Sequence, residues 1–376
     1  MLIVGVPREI KLFERRVGMT PEAVKQLSQQ GVKVLIQKGA GAASGFSDQE
    51  YARSGATLAE NAEEIYSLAS LIQKVKEPQP AEYSLLKSHH ILFCFLHLAS
   101  PENVRLVESL VKSRATAVAF ETLEEKGFLP LLAPMSEIAG GLSAAYAALF
   151  KNLNLVSNGK IVYPSDFHSK IEAIAEAFPG IHEKMPLGNA VLFGGGVAGQ
   201  KALDIAGALN GHVTVIEKDE KKHGMLSGRA KAVYAPENCP EKVFEDADIF
   251  IGCVHIRGRR AVKVMDGTSL ERFSRLKKKI IMDVSIDQGG NFPESHSTTY
   301  QDPLYLDSYG NLRFGVANIP SLCGRAASDA LSKAALPYTI AMAANALKTF
   351  DQIPALKGAL NAREGKILLD LGPERP

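Results

Sequence analysis

A glycine-rich hexapeptide, Gly194–Gly199, is the part of the sequence with the clearest chemistry. It has the GxGxxG spacing, it follows the apolar run AVLF (190–193), and it opens a stretch of helical periodicity that ends at Gly211. The three motif glycines allow a tight turn, approach of the backbone to a pyrophosphate, and close packing of helix on strand, while the helix N-terminus favours phosphate. The pattern predicts a dinucleotide site with contacts from Gly194, Gly196, Val197, Ala198 and Gly199.

A carboxylate at the end of the next predicted strand indicates which dinucleotide is bound. The run VTVIE (213–217) ends in Glu217, 18 residues after Gly199. A carboxylate here accepts hydrogen bonds from the ribose hydroxyls and repels a 2′-phosphate, and no arginine follows it. The sequence therefore predicts NAD as the cofactor in preference to NADP.

Four polar residues follow predicted strands at the end where open parallel sheets bind ligands: Arg16, Lys76, His97 and Asp287. Two cations suit the carboxylate and carbonyl of an oxo acid, and an imidazole and a carboxylate suit proton transfer. Each residue also has a purely structural interpretation. Arg16 and Lys76 could be solvated cations, His97 a buried structural histidine, and Asp287 a turn residue beside two glycines. Asp283 competes for the role of Asp287, although its position inside a strand favours a structural role.

These residues must be positioned by the secondary-structure elements around them. Short β-rich runs alternate with helical stretches in the first part of the chain, and a second alternating set follows later. This alternation predicts an α/β protein of two Rossmann-like, doubly wound parallel-sheet domains with a cleft between them. Residues 135–150 read as a long buried helix crossing between the domains, and a helix from Ser328 onward is expected to return to the first one. Thr20 is expected to cap a helix that has Pro21 at its first position.

Composition excludes several classes of protein. Hydrophobic residues make up 46% of the 376 residues and charged residues 22%, with 43 basic against 41 acidic side chains, so the chain is globular and offers no basic footprint for nucleic acid or a membrane surface. The basic runs 257–260 and 277–279 are short and are interpreted as solvated edges. Four scattered cysteines predict no disulfide framework and no metal site, which fits a cytoplasmic enzyme without a membrane span.

The chain resembles the alanine dehydrogenase family, which is shared with the nucleotide-binding part of the proton-pumping nicotinamide nucleotide transhydrogenase. The stretches that carry the resemblance span nearly the whole chain: GVPREIKLFERRVGMTPEAV (5–24), GAASGFSDQEYARSGAT (41–57), KVKEP (74–78), LFCFLHLA (92–99), PLLAPMSEIAGGLSA (130–144), FGGGVAG (193–199), VSIDQGGNF (284–292), TTYQDP (298–303) and VANIP (316–320).

The resemblance implies roles for residues in these stretches. Arg16 would bind the substrate carboxylate, Lys76 the carboxylate and reacting carbonyl, His97 would be the acid/base, and Asp287 would polarise the attacking water or ammonia. Contacts near the nicotinamide and phosphates would come from Met135, Ser136, Val316 and Asn318. It also implies a substrate domain of residues 1–130 plus 320–376, an NAD domain of residues 131–319, and a homohexamer.

Three segments depart from the family pattern: 152–188, 254–262 and 321–328. They leave the substrate and the oligomeric state open more than the type of reaction. Three alternatives stand beside reversible NAD-dependent oxidative deamination of L-alanine. One alternative is a related dehydrogenase or reductase for another amino acid, or for an oxo acid and an amine. The others are a transhydrogenase-like hydride carrier and an NAD-binding protein without catalysis.

Overall fold

The computed structural model describes residues 1–180, 185–256 and 260–371 and divides into two compact units. One unit combines Met1–Met135 with Ser321–Pro376, and the other is Ser136–Pro320. Each unit contains a largely parallel sheet with helices, so the predicted α/β fold with two Rossmann-like sheets is confirmed. Parts of two segments that depart from the family pattern, residues 181–184 and 257–259, lie outside the described residues.

Residues 1–135 supply the parallel strands of the first sheet: β1 (Val4–Val6), β2 (Val34–Gln37), β3 (Thr57–Ala59), β4 (Leu71–Gln73), β5 (Ile91–Cys94) and β6 (Thr116–Ala119). The helices between them are α1 (Pro21–Gln29), α2 (Asp48–Arg53), α3 (Ala62–Leu68) and α4 (Val104–Ser113). The predicted long helix is α5 (Ala133–Asn152), in whose first turn the boundary between the units falls.

Residues 153–320 begin with a small hairpin and continue as a second alternating series. The strands are β7 (Val156–Ser157), β8 (Lys160–Ile161), β9 (Asn189–Phe193), β10 (His212–Ile216), β11 (Ala232–Tyr234), β12 (Ile249–Gly252), β13 (Ile280–Asp283), β14 (Leu304–Leu306) and β15 (Leu312–Phe314). The helices are α6 (Phe167–Ala177), α7 (Val197–Ala208), α8 (His223–Ser227), α9 (Glu241–Asp246) and α10 (Gly267–Leu276).

The C-terminal residues return to the first unit, as predicted from the helical pattern after Ser328. They form α11 (Gly324–Asn345), α12 (Thr349–Gln352), α13 (Pro354–Gly358), β16 (Leu360–Arg363) and β17 (Lys366–Ile367). The prediction that the Thr20 side chain caps α1 is wrong. Thr20 occupies the N-cap position with extended backbone, but its hydroxyl points to the Ser332 hydroxyl of α11, 3.3 Å away, and caps nothing.

Strand order in each sheet places the ends of particular strands side by side. The first sheet runs β17-β16-β6-β5-β4-β1-β2-β3, with β16 and β17 added antiparallel at one edge. The second runs β11-β10-β9-β12-β13-β15-β14, with β14 antiparallel at the other edge. In each sheet the chain adds strands first on one side of its first parallel strand and then on the other. This reversal of strand order lies between β1 and β4 in the first sheet and between β9 and β12 in the second. Such a reversal opens a crevice at the carboxyl ends of the strands, where ligands bind.

The prediction that the run Lys277–Lys279 is a solvated edge is wrong for Lys279. Lys277 and Lys278 are exposed, but the Lys279 side chain is buried and its Nζ donates to the carbonyls of Phe244, Glu245 and Ala247 at 2.8, 3.0 and 2.8 Å. The first two carbonyls belong to the last turn of α9 and the third to the residue that follows it. Carbonyls at the end of a helix have no amide donor within the helix. Burial lowers the pKa of Lys279 to about 8.

Candidate functional site

The carboxyl edge of the first sheet gathers the predicted substrate residues of that unit. Arg16 lies in the loop after β1, Lys76 lies three residues after β4, and His97 lies three residues after β5. Because β1, β4 and β5 are adjacent parallel strands, their carboxyl ends meet at the reversal of strand order. Lys76 Nζ lies 3.3 Å from His97 Nε2, and the charges of Lys76 and Arg16 both act on the imidazole. The structure therefore brings Arg16, Lys76 and His97 together.

A carboxylate that the sequence analysis missed holds the Arg16 side chain. Nε and one terminal nitrogen of Arg16 donate to the two oxygens of Glu14 at 2.6 and 2.5 Å, and Nη1 donates to Sδ of Met135 at 3.0 Å. Burial alone would lower the pKa of Arg16, which is only 2% exposed, but the Glu14 carboxylate outweighs it and the pKa is raised. The guanidinium is therefore a permanent cation in a fixed plane, as bidentate recognition of a carboxylate requires.

The imidazole of His97 is held in its neutral form. Partial removal from water lowers its pKa well below the ordinary value, and the nearby cations Lys76, Lys11 and Arg16 lower it further. An ammonium group can only donate, so the contact with Lys76 makes Nε2 the acceptor and leaves the proton on Nδ1. The ring is stacked on Phe95 with centroids 5.8 Å apart and remains about one-third exposed. A neutral imidazole with an acceptor nitrogen can serve as a general base at neutral pH.

Two further residues fix the backbone that presents His97. Its φ is +45°, a left-handed conformation that most side chains avoid. The Glu121 carboxylate accepts the amide of His97 at 2.7 Å and that of Leu96 at 3.2 Å, while Asn103 Nδ2 donates to the carbonyls of the same two residues at 3.1 and 3.2 Å. The sequence analysis missed both. The one available signal was that Glu121 is the last residue of the predicted β-rich run 116–121.

In the second unit the glycine motif forms the turn between β9 and α7. Gly194 has φ +93°, a conformation suited to glycine, and a Cβ on Gly199 would lie 1.9 Å from the Gly194 carbonyl oxygen. Beside Gly196 a Cβ would meet no atom within 4 Å, so the backbone is open there. Val197 and Ala198 begin α7. A tight turn, an open backbone and a helix N-terminus suit a pyrophosphate, so these residues fit a dinucleotide.

Glu217 lies directly after β10 and its carboxylate faces this turn. One oxygen accepts the amide of Gly195 at 2.6 Å and the other accepts the amide of Asp219 at 2.8 Å. Lys222 Nζ lies 3.8 Å from the first oxygen. The predicted ribose ligand is therefore also a structural partner of the glycine-rich turn, a contact that sequence spacing did not indicate.

Asp287 is exposed on a short 3-10 turn, Ile286–Gln288, after β13. Lys263 Nζ donates to three carbonyls of the segment that follows, those of Gly289, Gly290 and Phe292, at 2.8, 2.9 and 2.7 Å. Asp283 is buried and accepts the Asn291 amide and the Ser295 hydroxyl at 2.8 and 2.6 Å. These contacts match the structural role expected of Asp283, and they make Asp287 the more accessible carboxylate of the two.

Three of the remaining predicted cofactor contacts lie in the second unit, whereas Met135 is the last residue of the first segment of the other unit and contacts Arg16 there. Ser136 is in the first turn of α5, Val316 is buried after β15, and Asn318 has a left-handed backbone with φ +67°. Within the described residues, no cluster of His, Cys, Asp and Glu side chains is arranged to bind a metal ion. None of the helices in the described ranges is both long and apolar enough to span a bilayer.

Comparison with known proteins identifies relatives over nearly the whole chain. Residues 5–139 match the family described as "Alanine dehydrogenase/PNT, N-terminal domain", and residues 167–370 match its C-terminal domain. An alanine dehydrogenase of Methanococcus maripaludis is 34% identical over 373 residues, covering 97% of this chain and 94% of that protein. One of Mycolicibacterium smegmatis is 32% identical, covering 98% and 95%. A solved structure of an L-alanine dehydrogenase superposes with a TM-score of 0.84 at 33% identity, covering 98% of this chain and 97% of that one.

Proposed function

The chain belongs to the alanine dehydrogenase/PNT family, and on that premise we propose that it catalyses reversible oxidative deamination of L-alanine to pyruvate and ammonium with NAD. It is an amino-acid dehydrogenase, an oxidoreductase that uses a nicotinamide cofactor. The observation that carries the assignment of residues is the cluster of Arg16, Lys76 and His97, which combines two cations with a neutral imidazole. Assembly as a homohexamer stays an expectation from the family resemblance.

Arg16 and Lys76 orient the substrate. The guanidinium of Arg16, held in plane by Glu14, binds the substrate carboxylate, and the ammonium of Lys76 contacts that carboxylate and the reacting carbonyl oxygen of pyruvate. Both side chains are almost fully buried, so their charges are weakly screened by water. Fixing the carboxylate in this way places the α-carbon in one position and so lowers the entropic cost of reaction.

His97 and Asp287 handle the proton and the nitrogen. NAD, which the glycine-rich turn and Glu217 would hold, would supply the acceptor for the hydride of the α-carbon. His97 accepts a proton at Nε2 from the water that adds to the oxidised substrate and returns it when ammonia leaves. Asp287 stabilises the cationic nitrogen with its carboxylate. General acid/base help of this kind is worth about 10²- to 10⁴-fold in rate.

The function is tested by following NADH formation with L-alanine and with a panel of larger amino acids. We expect L-alanine to be the preferred substrate, and the reverse reaction to require pyruvate and ammonium together. Preference for a larger amino acid would identify a related dehydrogenase. Nucleotide binding with turnover of no amino acid would identify a binding protein or a hydride carrier.

Glu217 is expected to set the preference for NAD. In Glu217→Ser the repulsion of a 2′-phosphate is lost and the Lys222 ammonium, now without that carboxylate, can pair with the phosphate. The ratio of kcat/KM for NAD to that for NADP should fall by roughly tenfold or more. The matched control is Glu220→Ser, an exposed carboxylate three residues on, which should leave the ratio unchanged. An unaltered ratio in Glu217→Ser would remove the basis for the NAD assignment.

The pH dependence of activity should follow the imidazole of His97. Deamination needs this group neutral, so kcat/KM falls when the pH drops through the pKa of His97. Burial and, after it, the surrounding cations place that pKa well below its usual value. In Lys76→Met one cation is removed, the pKa rises, and the acidic limb of the kcat/KM profile should move to higher pH. The exposed Lys33→Met serves as control. A limb that stays in place, or moves to lower pH, would contradict the pairing of Lys76 with His97.

A further inference from the structure

The loop that carries Arg16 has little regular structure of its own. Between the end of β1 at Val6 and the start of α1 at Pro21 the chain contains no strand or helix, yet Arg16, Val17 and Thr20 are buried. Backbone amides buried in such a loop must find acceptors elsewhere. The acceptors therefore identify the part of the molecule that fixes this loop.

The Arg16 amide donates to Glu14 within the loop at 3.0 Å, but the acceptors for Val17 and Thr20 come from a segment about three hundred residues later in the chain. The Ser328 hydroxyl accepts the amide of Val17 and the Ser332 hydroxyl accepts the amide of Thr20, each at 3.0 Å. The amide of Arg15 donates to the carbonyl of Ser321, also at 3.0 Å. Both serine side chains are buried, so water does not compete for these bonds.

A third hydroxyl of α11 reaches the same loop through one intermediate. Thr339 Oγ1 donates to Gln73 Oε1 at 2.7 Å, and Gln73 Nε2 donates to the Gly18 carbonyl at 2.6 Å. Gly18 packs so closely on β4 that a Cβ there would lie 2.8 Å from the Gln73 carbonyl oxygen. Ser328, Ser332 and Thr339 are four and seven residues apart and lie on one face of the helix.

We propose that Ser328 and Ser332 are positioning residues for substrate recognition, acting through Arg16. The inference rests on the proposed function, since it requires Arg16 to bind the substrate carboxylate. Glu14 and Arg16 belong to the same loop, so their ion pair fixes the side chain relative to the loop but leaves the loop itself to be placed. The serine hydroxyls place it. This assigns a role to the segment after residue 320, part of which departs from the family pattern.

The test is a double-mutant cycle on KM for L-alanine and for pyruvate. We expect Ser332→Ala and Ser328→Ala each to raise both KM values by about tenfold, because an amide loses its acceptor and the loop loses its fixed position. The KM for NAD and kcat should change little, as befits loss of ground-state binding. In Arg16→Ala, adding Ser332→Ala should raise KM no further, because the serine acts through the arginine. Ser332→Thr, which keeps a hydroxyl, should restore KM.

A purely structural role gives a different result. Thr349→Val removes another buried hydroxyl of this unit, one that donates to the Ala341 carbonyl at 2.9 Å, and it should lower Tm without raising KM. The proposal is overturned if the serine variants lower Tm without raising KM, as this control does. It is also overturned if Ser332→Ala raises KM further in the Arg16→Ala background. If Ser332→Ala does not fold, Ser332→Cys, with a weaker acceptor of similar size, is measured in the same cycle. If Arg16→Ala leaves KM unchanged, the proposed role of Arg16 fails and this inference fails with it.

Discussion

His97→Asn should lower kcat by about 10²- to 10⁴-fold in both directions of the reaction, the range typical for loss of a general acid/base. Asparagine is the replacement of choice because it tolerates the left-handed backbone at φ +45°, where alanine would add strain. The loss should be confined to turnover, since the imidazole is not among the proposed nucleotide contacts. The measurement is steady-state kcat in both directions, with the dissociation constant of NADH determined by fluorescence.

The matched control is His90→Asn in the same unit. His90 is fully buried, whereas His97 is partly exposed, and the ring nitrogens of His90 contact the Tyr66 carbonyl at 2.8 Å and the Lys87 amide at 3.0 Å. Burial lowers its pKa to about 4, as for a structural histidine that stays neutral. Its replacement should cost about 1–3 kcal/mol of stability and leave kcat nearly intact. Equal kcat in His97→Asn and wild type would assign the proton transfer to another group.

Gly199→Ala should abolish nucleotide binding at ordinary cofactor concentrations. The added Cβ would lie 1.9 Å from the Gly194 carbonyl oxygen, and because that atom belongs to the backbone, the glycine-rich turn itself must move. Overpacking typically costs about 1–3 kcal/mol, and because the clash is with backbone we expect the upper end, which corresponds to a rise in the dissociation constant of NADH of roughly 100-fold. Fluorescence titration with NADH measures it directly.

Gly207→Ala provides the comparison within the same helix. A Cβ on Gly207 would meet no atom within 4 Å, so alanine should stabilise α7 by about 1 kcal/mol and leave the dissociation constant unchanged. Wild-type affinity in a folded Gly199→Ala protein would show that the contact between α7 and the turn does not form the nucleotide site. Loss of binding in both variants would point to general sensitivity of the helix.

Local sequence predicted most of the elements and the places where chemistry could occur. Apolar runs bounded by glycine and polar residues marked β4, β5, β9 and β13, because a strand buried on both faces needs a continuous apolar run. The glycine motif could also be identified from local sequence. Gly194 has a left-handed backbone, which glycine adopts without steric cost. The position of Arg16, Lys76, His97 and Asp287 after predicted strands made them candidates, and the stretches resembling the dehydrogenase family then gave each of them a role.

Partners and burial were decided only by the tertiary structure. The sequence does not distinguish Lys279 from the exposed Lys277 and Lys278, and it assigned Thr20 to a cap when its hydroxyl turns to Ser332. Glu14 binds the Arg16 guanidinium, and Asn103 donates to the backbone carbonyl of His97. Neither residue was selected, because contacts of this kind are not visible in the sequence.

The physical reason lies in the range of the forces involved. Periodicity and glycine stereochemistry act within one element, so the sequence by itself determined the strands, the helices, the nucleotide motif and the residue types available for catalysis. Hydrogen bonding and desolvation depend on which distant segments pack together. The neutral state of His97, the fixed plane of Arg16 and the placement of its loop by α11 were therefore settled only when β1, β4, β5 and the C-terminal helix came together in one unit.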